Sequence, residues 1–356
     1  MKQKYYSLNN ILKQDCEYYV LLGERSNGKS YAVKHYCIND YLKNGNKLIY
    51  LRRYTVETKN SMTEAYFADV DVSKITKGEY DSIIVFRGEI YFARNDPDTG
   101  KLIKADDNFG MVMSLSISTH YKSMSLLEYK NLIFEEFITK SLYLDNEPDM
   151  LQQLVSTIAR RTRIHVFLIG NTISRLCPYF NEWQLYNIPN QKQGTIEIYR
   201  MTTSQQNEDG TPVVIQIAVE ICENSGNNSK MFFGTASHAI INGSWESSEQ
   251  PHLLYPFDEY EVLYEAAVKQ HNMVYAMNIL RRENEMLLYV YPLTKKIRCK
   301  RIIQEQYSED MWTTSKLIAL TKGDKMILTL IKMGNICYSD NLTGTEFINN
   351  VLPNMM

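Results

Sequence analysis

Residues 23–30 read Gly-Glu-Arg-Ser-Asn-Gly-Lys-Ser, and this octet restricts the fold more than any other feature of the chain. Its spacing is G-x-x-x-x-G-K-S. The apolar, β-prone run Tyr18-Tyr19-Val20-Leu21-Leu22 precedes it, and a helix-compatible stretch follows from Lys29 to Lys43, stopped by Asn44-Gly45. Strand, glycine-rich loop and helix in that order make a phosphate cradle. Backbone N–H groups turn inward around the anion, and the helix N-terminus adds the positive end of its dipole. Gly23, Glu24, Arg25, Ser26, Asn27, Gly28, Lys29 and Ser30 are the candidate nucleotide-binding residues. Lys29 is expected at the β- and γ-phosphates of ATP, and the Ser30 hydroxyl on Mg²⁺.

A phosphate cradle hydrolyses nothing by itself; its complement is an apolar strand ending in acids. Leu132-Ile133-Phe134-Glu135-Glu136 has that form, far enough from Lys29 for a further strand to lie between them in the sheet. Glu135 is expected to hold the Mg²⁺ hydration shell and Glu136 to polarise the attacking water as general base. A third apolar strand, Ile164 to Ile169, ends at Gly170-Asn171-Thr172. Asn171 is either a sensor of the γ-phosphate or part of an ordinary turn. Arg160, Arg161 and Arg163 precede that strand. They read either as an arginine completing a neighbouring subunit's site or as a basic helix end. Arg52 and Arg53, leaving the strand Lys47 to Leu51, are candidates for contact with nucleic-acid phosphate or with a neighbouring subunit.

Short strands alternating with helices over the first part predict an α/β sandwich with a mainly parallel sheet. Ile83 to Phe86 and Ile90 to Ala93 flank Arg87-Gly88-Glu89 as a hairpin. The formal charge of −2 is an average over unlike segments. Residues 1–195 carry 25 Lys+Arg against 22 Asp+Glu, residues 196–265 carry 2 against 11, and residues 266–356 carry 12 against 8. The shift predicts three parts: a P-loop domain over 1–195, an acidic linker region over 196–255 with one hairpin strand at Val213 to Ile221, and a small α+β domain over 256–356. In the last part Met273 to Leu280, Met286 to Tyr291 and Met326 to Ile331 read as strands, and Trp312 to Leu320 as helix. Lys295-Lys296-Ile297-Arg298-Cys299-Lys300-Arg301 is either a grip on DNA or RNA phosphates or an exposed basic turn. Glu283 and Glu285 fall in a turn rather than facing inward on adjacent strands, so no two-metal nuclease is expected.

Hydrophobic residues make up 44% of the 356 and charged residues 22%, which excludes a disordered chain or a coiled-coil rod. No apolar run reaches the ~18–20 residues of a membrane helix, so no membrane partner is expected. The six cysteines form no C-x-x-C pair, which points away from zinc sites and disulfides and toward a reducing cytosol.

The run Tyr19 to Lys34, the strand end Leu48-Ile49-Tyr50-Leu51-Arg52-Arg53-Tyr54, Ile133-Phe134-Glu135-Glu136-Phe137, and Asn171-Thr172-Ile173-Ser174 before Pro178-Tyr179-Phe180 together resemble the DNA-packaging ATPases of phi29-type podophages. The Arg87-Gly88 hairpin and Tyr121-Lys122-Ser123 fit the same order, with Lys122 a candidate nucleic-acid contact. The resemblance covers residues 15–185. It implies an additional-strand P-loop ATPase with a catalytic glutamate, working as a homopentameric ring at the procapsid portal in the host cytoplasm. Such a ring drives double-stranded DNA into a preformed capsid and is tethered through a structural packaging RNA. The resemblance also implies a C-terminal domain with a nuclease-like (RNase H-like) fold lacking the catalytic acids. The family pattern is Asp-Glu where this chain has Glu135-Glu136. Another P-loop motor, such as a helicase or secretion ATPase, and a nucleotide-dependent assembly factor are the alternatives.

Overall fold

The structure is a computed structural model that describes residues 5–23, 27–122, 124–139, 143–160, 162–171, 177–188, 191–206, 209–223, 250–270, 273–293, 301–304, 306–308, 311–313 and 321–352. The chain divides into two compact units. The first takes Met1–Thr139, Tyr143–Thr172 and Asn187–Gly243, and the second takes Lys140–Leu142, Ile173–Tyr186 and Ser244–Met356.

The first unit begins with a short helix α1 (Asn9–Leu12), strand β1 (Tyr18–Gly23), helix α2 (Lys29–Asn44) and strand β2 (Lys47–Arg52). Helices α3 (Asn60–Phe67) and α4 (Val72–Ile75) then lead to β3 (Ser82–Phe86), β4 (Glu89–Asn95), β5 (Leu102–Lys104) and β6 (Gly110–Ser114). Next come β7 (Tyr129–Glu135), α5 (Glu147–Ile158), β8 (His165–Asn171), β9 (Ile196–Gln206) and β10 (Pro212–Ile221). Across the sheet the order is β3-β4-β6-β2-β7-β8-β1-β10-β9, with β5 on β4. The six strands from β6 to β10 in that order are parallel, and β3, β4, β5 and β9 add antiparallel margins.

Parallel strands need crossovers, and the helices supply them: α2 carries the chain from β1 to β2 and α5 from β7 to β8. Every residue of β1 is buried, as expected for a strand covered on both faces. Val33, Cys37 and Ile38 of α2 share one core with Tyr19, Leu21, Tyr50, Ile133 and Phe167. On α5, Leu151, Leu154, Val155 and Ile158 are buried at helical spacing. Gly45 ends α2 in the left-handed region at φ 73°, its N–H donating to the Tyr41 carbonyl at 2.8 Å. Arg87 and Gly88, at φ 55° and 80°, make the two-residue turn of the expected hairpin.

β8 lies between β1 and β7, pairing with both in parallel. Gly23 stands opposite Asn171 and Glu135 opposite Ile169, so the carboxyl ends of the three strands share one edge of the sheet. The acidic stretch expected as a connecting region differs: residues 196–206 and 212–221 are β9 and β10, and β10 extends the sheet beside β1. Among its described acids Glu197 lies on the outer strand β9, whereas Glu220 is buried on β10 with Ile217, Ala218 and Val219.

The second unit contains a short helix α6 (Pro178–Glu182) and the antiparallel meander β11 (Glu261–Gln270), β12 (Met273–Arg282) and β13 (Glu285–Pro292). Strand β14 (Arg301–Gln304) joins β11 in parallel, and β15 (Gln306–Ser308) with β16 (Met311–Thr313) forms a separate hairpin. Helix α7 (Lys322–Met333), strand β17 (Ile336–Tyr338), parallel to β13, and helix α8 (Asn341–Glu346) follow. Tyr275, Met277, Ile279, Leu288 and Val290 pack with Ile327, Leu330, Tyr338 and Phe347 as its core.

Met326 to Ile331, expected as a strand, is the middle of α7. Thr321 and Asp324 form a reciprocal capping box at its start, and Gly334 closes its end at φ 73°. Those caps outweigh the β-propensity of Ile-Leu-Thr-Leu-Ile, and the buried Ile327 and Leu330 recur at helical spacing. Of the expected helix 312–320, Trp312 and Thr313 belong to β16, and 314–320 lie outside the described residues.

Candidate phosphate and metal site

The loop between β1 and α2 places Asn27 and Gly28 at the helix start. Gly28 takes φ 94°, a backbone conformation that strains any residue with a Cβ, so glycine suits the helix start. Asn27 and Lys29 are 2% and 4% exposed. Lys29 Nζ donates to the Gly23 carbonyl at 3.0 Å and to Asn27 Oδ1 at 3.3 Å, and the Lys29 backbone N–H donates to the same Oδ1 at 3.2 Å. Asn27 Nδ2 is buried with no hydrogen-bond partner. A buried donor of this kind is stabilised by an acceptor, and an anion in the loop is one.

Ser30, in the first turn of α2, donates from Oγ to Glu135 Oε1 at 2.8 Å. Tyr66 on α3 donates from Oη to Glu135 Oε2, also at 2.8 Å. Burial pushes the Glu135 carboxyl above its ordinary range, these two hydrogen bonds pull it back, and the Glu136 charge adds to the rise. Glu136 leaves the strand in the left-handed region at φ 56°. Arg52 Nη2 donates to Glu136 Oε2 at 2.7 Å and to Glu57 Oε1 at 2.9 Å.

Asn27, Lys29, Ser30, Glu135, Glu136 and Asn171 line one cleft of about 1100 Å³. One wall is the N-terminal segment from Tyr5 to Leu12, and another is the α2 face bearing Tyr31, His35, Tyr36 and Asn39. Tyr6 fastens that segment: its N–H donates to the Asn27 carbonyl at 3.0 Å and its Oη to Glu220 Oε2 on β10 at 2.6 Å. Burial raises the Glu220 carboxyl, the Tyr6 bond lowers it in part, and Glu223 adds to the rise.

Two arginines expected at nucleic-acid phosphates are engaged within the chain. Arg53 is 4% exposed and grips the fully buried Glu147 through Nε at 2.7 Å and Nη2 at 2.9 Å. Its Nη2 also donates to the Phe137 carbonyl at 2.6 Å, so it fastens the start of α5 to the loop after β7 and does not face solvent. Arg52 is held by Glu57 and Glu136, as above. The Arg160 and Arg163 side chains stem from the amino end of β8, about 20 Å of strand from Asn171. Neither reaches the cleft of its own chain. Arg160 is exposed and donates to the Lys122 carbonyl at 2.6 Å, with Lys122 itself exposed. Arg163 pairs with Asp15 at 2.7 Å and Glu17 at 3.0 Å, which orders it within its own chain. Glu24, Arg25, Ser26, Arg161, Lys295, Lys296, Arg298 and Lys300 lie outside the described residues, and Arg301 is described only as the first backbone position of β14.

Sequence reasoning missed Tyr66 and the Tyr5–Leu12 wall. No motif marks either, because both reach the site through folding of segments outside the strand–loop–helix pattern.

Residues 1–202 match the model of the podovirus DNA encapsidation protein (Gp16). Over 183 residues the chain is 31% identical to the DNA packaging protein of Bacillus phage phi29, covering 50% of each protein. It is 28% identical over 257 residues to the DNA packaging protein of Bacillus phage B103, covering 65% of this chain and 74% of that one. The chain thus spans about half the length of the phi29 relative it matches. The solved bacteriophage Phi-29 viral genome packaging motor assembly aligns with 99% of both chains at a TM-score of 0.53 and 19% identity, a likeness of fold. With the encapsidation model spanning the whole strand–loop–helix site and both acids, the chain belongs to the podovirus DNA encapsidation protein (Gp16) family.

Proposed function

We propose that this chain is the ATPase subunit of a ring motor that drives double-stranded DNA through a portal into a preformed capsid in the host cytoplasm. The observation that carries the reading is the insertion of β8 between β1 and β7. It brings the cradle residues Lys29 and Ser30 and the acids Glu135 and Glu136 to one cleft, with Ser30 and Glu135 in hydrogen-bond contact at 2.8 Å.

The donor set fits the groups the reading requires. The start of α2, the Lys29 ammonium and the buried Asn27 amide suit a polyphosphate. A serine hydroxyl beside a carboxylate gives hard oxygen ligands of the kind Mg²⁺ takes. A Mg²⁺ ion held there would offset negative charge on the phosphates. Ser30 and Glu135 would hold it, Glu136 takes the proton of the attacking water, and Asn171 orients that water from the end of β8. The exposed Arg160, or Arg161 beside it, acts on the site of the adjoining subunit in a homopentameric ring, with a packaging RNA as tether. The second unit, with its antiparallel meander, is read as a nuclease-like domain without cutting activity that docks on the portal or nucleic acid.

The test is DNA entry into purified procapsids, followed by nuclease protection, beside ATP turnover. Glu136→Gln is expected to bind ATP, to lose at least ~10²-fold in turnover and to fill no capsids. Wild-type protein that hydrolyses ATP and binds portals but protects no DNA would instead make this an assembly factor.

A further inference from the structure

Glu135 has a side chain one methylene longer than an aspartate's. A longer acid has one more torsion to fix before it can serve a metal, and each free torsion weakens the site. Here both oxygens are taken by neutral hydroxyls: Ser30 holds Oε1 and Tyr66 holds Oε2, each at 2.8 Å. Ser30 comes from the cradle helix. Tyr66 comes from α3, between β2 and β3, and does not line the cleft.

Tyr66 is itself held firmly. Its ring stacks on Tyr50 of β2, with centroids 4.4 Å apart and planes at 20°. Lys34 Nζ lies 4.4 Å from its ring centroid on the other contact and bonds to the Tyr66 carbonyl and to Asp69. Lys34 belongs to α2, one turn beyond Ser30. The same helix that presents the Ser30 hydroxyl therefore also fixes the tyrosine that holds the other side of Glu135.

We propose that Tyr66 is a positioning residue for the metal–nucleotide site: its hydroxyl locks the long Glu135 carboxylate so that Ser30 and Glu135 face the cation together. This rests on the reading of the cleft as an Mg²⁺–ATP site. Ring packing alone would require only the aromatic face; the proposal requires the hydroxyl.

The experiment compares full-length wild type and Tyr66→Phe by binding of a fluorescent ATP analogue, with Mg²⁺ titrated in and with EDTA. Partners that hold a metal ligand in place are worth about 10–100-fold in metal affinity. Tyr66→Phe is expected to raise the half-saturating Mg²⁺ concentration about tenfold, with EDTA-state affinity and thermal melting near wild type. An unchanged Mg²⁺ midpoint overturns the proposal, as does an equal loss with and without Mg²⁺, which would mark the hydroxyl as structural. Glu135→Asp supplies a second arm, because the shorter acid withdraws from Tyr66. On that background Tyr66→Phe should add no further change in the Mg²⁺ midpoint, and an undiminished effect there overturns the proposal even if the single variant folds poorly. Wild type that binds no nucleotide under either condition would overturn the reading of the cleft itself, and the proposal with it.

Discussion

Arg52 and Glu136 are ion-paired at 2.7 Å across adjacent strands, and the same guanidinium also holds Glu57 at 2.9 Å. The carboxylate assigned as the general base is therefore engaged by its own chain. The ion pair fixes the Glu136 rotamer, which opposes its turning toward a water in the cleft. Replacing Arg52 with alanine removes this ion pair from Glu136. A half-exposed pair of this kind contributes about 1 kcal/mol, so ATP turnover without DNA is expected to rise about fivefold, with nucleotide affinity unchanged. Steady-state phosphate release measures it, and a fall in turnover would show that Arg52 assists the base.

The Arg53–Glu147 pair has a different character, because both side chains are out of solvent. Arg53→Ala leaves a buried carboxylate and the Phe137 carbonyl without their cation, a loss of about 3–5 kcal/mol. Urea unfolding should show it as a lowered midpoint. The double change Arg53→Met with Glu147→Leu should recover most of the loss, since two apolar groups strand no charge.

Glu220 gives a pH dependence with a definite sign. Burial raises its carboxyl in the folded chain above the ordinary value of 4.5. Its contribution to stability is then complete below that value and is lost as pH rises through the folded value. Glu220→Gln keeps an acceptor for Tyr6 and removes the charge. Relative to wild type it should be neutral to stability near pH 4 and stabilising at pH 8, read from paired unfolding curves; the opposite trend would mean the carboxylate is stabilised in its charged form.

The central layout was legible because it is local. β1, the cradle and α2 are contiguous, and the apolar run into Glu135-Glu136 is a strand wherever it packs. The place of β9 and β10 in the sheet was not legible, because 2 basic residues against 11 acidic ones over residues 196–265 have the composition of a linker. Arg52 and Arg53 look alike in sequence. Of their partners, Glu136 and Glu147 lie 84 and 94 residues away, and only the folded sheet brings those carboxylates to them. Tyr66 escaped for the same reason: its partner Glu135 is 69 residues on.

The backbone at Glu136 sits at φ 56°, a region that glycine and asparagine enter with little strain and that costs a glutamate about 1–2 kcal/mol. Folding alone thus argues against the residue that chemistry asks for at this place. A laboratory selection for thermal resistance would be drawn to Gly or Asn at 136, and the sturdier protein it returned would have given up the acid beside the phosphate cradle.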